Sequence, residues 1–575
     1  MTQPFTPSPV ESFRAVGRDL GLVLGLGVLL LASGIGLRDP WPADEPRFVL
    51  IARDLVEGGN WLFPHVGGDY YQDKPPLYLW LLAAAYALTG SVRWSFLLPS
   101  LLAGLGTLVL VYDLTRRLWN RQAGLWAALV LLFTVQFTDH ARTAQMDMTL
   151  CFFVTLAIYS LLRHLLLRDG WMWYALGGFA AGLGVLTKGV GFLALLLLLP
   201  YAYGRWRNWP LPRLEGTWFQ WSSAPIALVA AITFWLVPML VAASMSGDPA
   251  LEAYRDELLF QQTVSRYAAA WHHHRPFFYF LGVMLTLWLP LVALLPWLVP
   301  RWIERLRERD ARLLLLLSWI VIVLLFFTVS AGKRDVYILP ALPALAVVSG
   351  EWLRGLWQRP DVQRAGAVLG LFIVLACAAA FIYVAWIAPD RLEALRAQYG
   401  VRNALPLLAI AVLGSIALIV CGVRRGALAC AWVFGFGWLV VSFILYPQIN
   451  EARSGKVLVA QLEKLVHPGR ELGLLAYPEQ FLLYLDQPSV NFGHRRWREG
   501  DLESYDAARW LNERPDRQLL IPENLAAPCF TGVRERVEVG ISARDYWLLV
   551  SGPASADCAA RGKPENVISY SPPVP

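Results

Sequence analysis

RDPWPADEPRFVLIARDLVEGGNWLFPHVGGDYYQDKPP, residues 38–76, lies between an apolar segment long enough to cross a bilayer and a long hydrophobic series. The stretch is polar and rich in Trp, Tyr, Pro and Gly. Asp44, Glu45 and Arg47 stand near its start, Asp73 and Lys74 at its end. Ionisable groups at a membrane edge are costly unless they serve a site. The loop therefore reads as half of an active site, with the rest of the chain supporting or facing it.

Outward from this loop, composition sets the class. Of 575 residues, 57% are hydrophobic and only 16% charged, a balance that soluble proteins of this length do not show. Apolar runs of about 17 to 25 residues recur from Asp19 to Pro447, the mark of a polytopic membrane protein. The net charge of +7 comes with arginines in short clusters between spans. That is the pattern of orientation signals, and it speaks against nucleic-acid binding. Residues 1–18 lack a small-residue cleavage site, so the first span reads as an uncleaved anchor.

Lys and Arg flank cytoplasmic ends. Arg14 and Arg18 put the N-terminus inside and the 38–76 loop outside. The apolar stretch 76–90 is too short to cross and reads as an interfacial helix. If it crossed, Arg116, Arg117 and Arg121 would face outward, against the rule. Alternation then yields about 13 spans, with every heavily basic connection inside. The predicted fold is an all-α polytopic membrane protein with a C-terminal α/β domain. Residues 1–447 form the membrane domain, with outer loops at 38–90 and 245–276. Residues 448–575, where short β-prone runs (472–476, 518–521 and 546–550) alternate with helix-like stretches (455–465 and 501–513), form the soluble domain outside. Cys529 and Cys558 fall in this tail, and their pairing is left open.

Four polar patches reach the outer face: 38–76, 139–147, 245–276 and 332–337. None holds a phosphate loop, a dinucleotide fingerprint or a nucleophile elbow. An enzyme with its polar groups outside has no ready access to a nucleotide, whereas a sugar on a polyprenyl phosphate would arrive from within the bilayer. Such a transfer needs cations for the departing phosphate; Lys74, Arg47, Arg142, Lys188, Arg275, Lys333 and Arg334 are available. It needs a carboxylate to orient or deprotonate the acceptor, for which Asp44 and Asp147 are the candidates. Tyr70, Tyr71, Trp61 and Tyr337 offer stacking surfaces. Each has a plainer role: Asp44 as a helix cap before Pro46, Arg47 as a snorkelling side chain, Asp147 paired with Arg142, and Lys333 and Arg334 as interfacial anchors. Adjacent His272, His273 and His274 make a poor ligand pattern by themselves. One of them, with Asp73, would suit a divalent cation such as zinc or magnesium.

Residues 44–80 closely resemble the first outer loop of the ArnT-like branch of the protein O-mannosyltransferase superfamily, glycosyltransferases of the GT-C fold. AQMDMTLCFF (144–153), GKRDVYILPALPALAVV (332–348) and PEQFLLYLDQPSVNFG (478–493) are similar to that family's later patches, so the likeness runs through nearly the whole chain. The resemblance implies Asp44, Asp147 and Lys74 as catalytic residues. It implies Arg47, Tyr71 and Tyr337 for substrate, and Asp73 with a His of the 272–274 loop, such as His273, for a metal; Arg142, Lys333 and Arg334 join the substrate candidates by charge and outer placement. It further implies a monomer of the bacterial inner membrane with its site in the periplasm. The reaction would carry 4-amino-4-deoxy-L-arabinose from undecaprenyl phosphate to lipid A, giving polymyxin resistance. Phe48 stands where a Tyr is frequent, and Asp73 where Glu is usual, which bears on the choice of sugar. Two rivals stand beside this reading: a related transferase of mannose or another hexose onto protein or glycan, and a lipid or sugar transporter. The transporter would show inverted repeats and central charges, and neither is visible.

Overall fold

The computed structural model describes residues 13–259, 275–330, 332–477, 479–493, 501–542 and 545–572. It is mostly helical, and each of the predicted apolar segments contains a helix. Seven helices are long and apolar enough to cross a membrane, or eight if the bent pair Tyr279–Leu287 and Leu291–Arg307 counts as one span. That pair turns through 94° around Pro290, which cannot donate a backbone hydrogen bond. The chain is a multi-pass membrane protein.

The first helix, α1 (Phe13–Leu31), enters the loop that holds α2 (Glu45–Gly58). Pro46 fits the first turn of α2, and Gly59 ends it in the left-handed region at φ 72°, its N–H reaching Leu55 O at 3.2 Å. Next comes a hairpin of β1 (His65–Val66) and β2 (Asp69–Tyr70), then α3 (Leu77–Thr89). At 13 residues α3 is short for a span. The chain continues through α4 (Val92–Ser95), α5 (Leu98–Leu118), α6 (Arg121–Leu132) and α7 (Val135–His140). The helices α8 (Met146–Leu167) and α9 (Trp171–Lys188) then form an antiparallel pair joined by three residues. Because they run in opposite directions, the start of α8 and the end of α9 share one end of the bundle.

The C-terminal part forms a six-stranded sheet in the order β6-β7-β5-β3-β4-β8. Its strands are β3 (Glu471–Leu474), β4 (Ser489–Asn491), β5 (Arg517–Pro522), β6 (Glu535–Ser542), β7 (Asp545–Ser551) and β8 (Ile568–Tyr570). Strand β3 runs parallel to β4 and β5, and the outer pairings are antiparallel. Cys529 and Cys558 are joined in a disulfide, Cα–Cα 5.6 Å, so the pairing left open from sequence is made.

This domain is not a detached tail. Phe48, Leu50 and Ile51 of α2 and Tyr78 and Leu79 of α3 share one core with Leu458, Leu474, Phe481, Trp547 and Tyr570. Arg53 on α2 donates to Leu482 O (2.9 Å), Leu483 O (3.2 Å) and the Tyr570 hydroxyl (2.6 Å). At the hairpin tip Gly67 and Gly68 have φ of 60° and 90°, the signature of a two-residue turn that only small residues accept without strain. A Cβ on Gly67 would lie 2.4 Å from the Tyr477 hydroxyl, and Gly67 O accepts from Asn491 Nδ2 at 2.8 Å. The tip is therefore pressed into the soluble domain. The first loop lies between membrane helices and sheet.

Candidate active site

Glu45 fixes the loop. Its carboxylate is 4% exposed and receives Arg38 through two bonds of 2.5 and 2.8 Å. It also accepts the backbone N–H groups of Trp41 (2.9 Å) and Ala144 (2.8 Å). The Arg38 guanidinium lies 4.5 Å from the Trp41 ring and 5.0 Å from that of Phe96, and donates to Arg142 O at 3.1 Å. A buried carboxylate with four donors is a strong fastener. It ties the first outer patch to the second, 99 residues on.

With Glu45 so held, Asp44 is set at the mouth of α2. Its side chain makes no cap hydrogen bond. The carboxylate instead faces two cations: Arg47 Nη1 at 3.6 Å and Arg334 Nη2 at 3.7 Å. The cap role is thus not what this side chain does. Arg47 reaches the other way to Glu479 of the soluble domain, Nε to Oε1 2.6 Å. Burial opposes charge on Arg47, but Glu479, Tyr71 and Asp44 together outweigh it and hold the guanidinium above its usual range. Tyr71 is 1% exposed and packs in the core between the loop and the sheet.

The second acid sits where α8 meets α9. Asp147, in the first turn of α8, forms an ion pair with Lys188, the last residue of α9. Each charge complements the dipole of its own helix, and Gly189 closes α9 in the left-handed region at φ 84°. Lys188 Nζ also lies 5.3 Å from the Tyr337 ring, which packs on Phe327 at 5.1 Å. The field of Arg334 reaches Asp147 as well, and buried Tyr78 feels Asp44, Glu45 and Asp147 together. Residues from four separate stretches are thus linked: Asp44 with Arg47 and Arg334, and Asp147 with Lys188, which lies beside Tyr337. Lys74 and Asp73 are half-buried just before α3, on the same loop and a few residues from Tyr78.

Three expectations need correction or relocation. Arg142 is 2% exposed and is engaged by the protein itself. It donates to Leu30 O (2.5 Å), Ser33 Oγ (2.7 Å) and Ser442 Oγ, and stacks 5.2 Å from Trp438. It is a fastener between α1 and the helix Gly426–Val440. The partner of Asp147 is Lys188, not Arg142. Lys333, 6% exposed, donates to Ser330 O at 2.8 Å and Arg275 O at 3.4 Å. It closes the end of the helix Ala311–Val329, as lysines near helix C-termini do. His273 lies outside the described residues, as do residues 260–274 of the 245–276 loop. Among the described residues no three His, Cys, Asp or Glu side chains come together.

Glu45 and Glu479 are the residues to which sequence reading gave no role, and Lys188 was one of several cations with no partner assigned. Glu479 lies in the tail stretch 478–493 that resembles the family, which is the one local signal of its involvement.

Residues 73–237 match the family model described as dolichyl-phosphate-mannose-protein mannosyltransferase. An undecaprenyl phosphate-alpha-4-amino-4-deoxy-L-arabinose arabinosyl transferase of Pectobacterium carotovorum is 31% identical over 345 residues, covering 58% of this chain and 59% of that protein. The enzyme of the same name from Pseudomonas aeruginosa is 30% identical over 378 residues, covering 63% and 64%. The chain thus aligns with about three fifths of the length of these relatives. The crystal structure of ArnT from Cupriavidus metallidurans bound to undecaprenyl phosphate superposes with a TM-score of 0.71, over 96% of this chain and 100% of that one, at 19% identity. The fold is that of ArnT. The likeness read from residues 44–80 is borne out, and the superposition takes in the soluble domain as well as the helices.

Proposed function

We propose that this chain is a membrane glycosyltransferase that moves 4-amino-4-deoxy-L-arabinose from undecaprenyl phosphate to a lipid A phosphate. The observation that carries the reading is the linked set of charges formed by Asp44, Arg47 and Arg334, with Asp147, Lys188 and Tyr337, at the end of the bundle. The sugar follows the names of the relatives. The acceptor follows the family resemblance.

In this scheme the acceptor oxygen attacks the anomeric carbon from the face opposite the leaving group. The bond from that carbon to the donor phosphate oxygen breaks with inversion, and undecaprenyl phosphate departs with the electron pair. Lys74, Lys188 and Arg334 stabilise the charge that grows on the leaving phosphate. Asp44, held by Arg47 and Arg334, orients the acceptor. A phosphate acceptor is already anionic and gives up no proton, whereas a hydroxyl would make Asp44 the general base. No nucleotide takes part.

We place the site and the 448–575 domain in the periplasm of a bacterial inner membrane, with about 13 crossings and the short helix α3 at the interface. The Cys529–Cys558 disulfide supports an oxidising compartment for that domain. Mass spectrometry of lipid A from a strain lacking the gene tests the proposal. Loss of the aminoarabinose substituent, with gain of polymyxin sensitivity, supports it, and unchanged lipid A overturns it. A hexose lost from glycoprotein instead would favour the related transferase.

A further inference from the structure

The six-residue helix α7 (Val135–His140) is joined to two other elements at its first turn. On one side stands the bend of the pair Tyr279–Leu287 and Leu291–Arg307. There the Val135 N–H donates to Leu289 O at 2.9 Å, and the Trp288 indole N–H donates to Gln136 Oε1 at 2.6 Å. On the other side Gln136 Nε2 donates to Asp335 O at 2.8 Å. Gln136 is 1% exposed and Trp288 is fully buried. A side-chain amide accepts at its oxygen and donates from its nitrogen, and here both ends are used.

Asp335 follows directly on Arg334. Before it, Lys333 is tied to Ser330 O and Arg275 O, and the Tyr337 N–H returns to Arg334 O at 3.1 Å. The backbone is thus held on both sides of Arg334, while the guanidinium is 40% exposed and stands 3.7 Å from Asp44. Gln136 lies 199 positions away from Asp335 in the chain. Buried as it is, it has no access to substrate, so an influence on the reaction has to pass through the segment it holds.

We infer that Gln136 is a positioning residue, which sets the reach of the Arg334 guanidinium by fixing the Asp335 peptide against the helix bend. The inference rests on the proposed role of Arg334 at the leaving phosphate. Charge-assisted bonds from a guanidinium to a phosphate depend on the alignment of its fork, and a misplacement of about 1 Å can cost roughly 100-fold. A tie that served the fold alone would be felt equally with and without Arg334. The effect of a tie that acts through Arg334 vanishes once that side chain is gone.

The test measures binding of undecaprenyl phosphate to the full-length protein in detergent, by titration with native mass spectrometry, counted on the folded protein. This probe carries the phosphate charge that builds on the leaving group and needs neither sugar nor acceptor. R334Q should weaken binding roughly 10- to 100-fold, the size of a hydrogen bond to a charged group. Gln136→Met is close in volume and lacks the donors of the amide. It should weaken binding about 10-fold, and Q136M/R334Q should bind no more weakly than R334Q alone. Should Q136M fold poorly, Gln136→Asn, shorter by one methylene, takes its place in the same cycle. Wild-type affinity in the Gln136 variant, or a further full loss when it is added to R334Q, overturns the inference while leaving the role of Arg334 intact. An R334Q protein that binds as the wild type does would overturn the role of Arg334, and the inference with it.

Discussion

Glu45→Gln changes one atom of a buried carboxylate, and the structure makes its consequence large. Four donors converge on that group: two guanidinium nitrogens of Arg38, at 2.5 and 2.8 Å, and two backbone N–H groups, of Trp41 and Ala144. A neutral amide has a single acceptor oxygen and turns its own donors toward the rest. At least two bonds are lost, and Arg38, only 3% exposed, keeps its charge without an opposing one. Breaking one partner of a buried pair costs about 3–5 kcal/mol. Asp44 adjoins Glu45 in the chain, so the loss also frees the site carboxylate, and a displacement of about 1 Å can cost roughly 100-fold in rate. Urea or thermal unfolding of the purified protein in detergent, followed by tryptophan fluorescence, reads the first effect, and transfer from lipid-linked sugar the second. The double variant R38M/E45L should be less destabilised than the sum of R38M and E45L, because it removes both charges together. A Glu45→Gln protein with wild-type stability and wild-type transfer would refute the assignment of Glu45 as the residue that positions Asp44.

Lys188→Met should abolish transfer and destabilise the fold by about 3–5 kcal/mol, since Asp147 is left buried and unpaired; product formation and unfolding in detergent check both. Cys529→Ser opens a covalent loop spanning 29 positions and should cost the soluble domain about 3–4 kcal/mol on the loop-entropy account, with reductant producing the same loss in the wild type. Asp54, beside Arg53 and the Tyr570 hydroxyl, has its carboxyl pushed up to about 7, chiefly by burial, with Arg53 and Tyr570 opposing. Its folded value lies above its unfolded one, so the native state holds the extra proton. The stability this gives is fully present below about pH 4 and is lost as pH rises through about 7. Asp54→Asn should flatten that part of a stability-versus-pH curve.

The helices were the most legible part of the chain, because hydropathy and arginine placement act locally. The stretch 76–90, read as a short interfacial segment, is the helix Leu77–Thr89. In the tail, the β-prone runs 472–476, 518–521 and 546–550 fall on β3, β5 and β7. Strand β6 escaped because its first half, ERVE, is exposed and charged, as edge strands often are, and β4 and β8 are only three residues each. At the site, Asp44, Arg47, Asp147, Arg334 and Tyr337 were picked out by residue type and outer placement. What sequence could not give was who pairs with whom. Arg142 meets Ser442 across 300 positions and Arg47 meets Glu479 across 432. Such partners become neighbours only once the helices are packed. Lys333 shows the same limit: a cation at a loop edge reads as a substrate ligand, and only the packed helix end reveals its bond to Ser330 O.

The central claim is that the charged groups gathered by the first loop, α8, α9 and the segment at Arg334 transfer a sugar from a prenyl phosphate. Purified protein, supplied with undecaprenyl phosphate-linked 4-amino-4-deoxy-L-arabinose and lipid A, tests it directly, with products resolved by mass spectrometry. The account predicts aminoarabinose-bearing lipid A and free undecaprenyl phosphate from the wild type, and neither from Asp44→Asn. Donor that binds but is never cleaved, or an Asp44→Asn protein as active as the wild type, would contradict it.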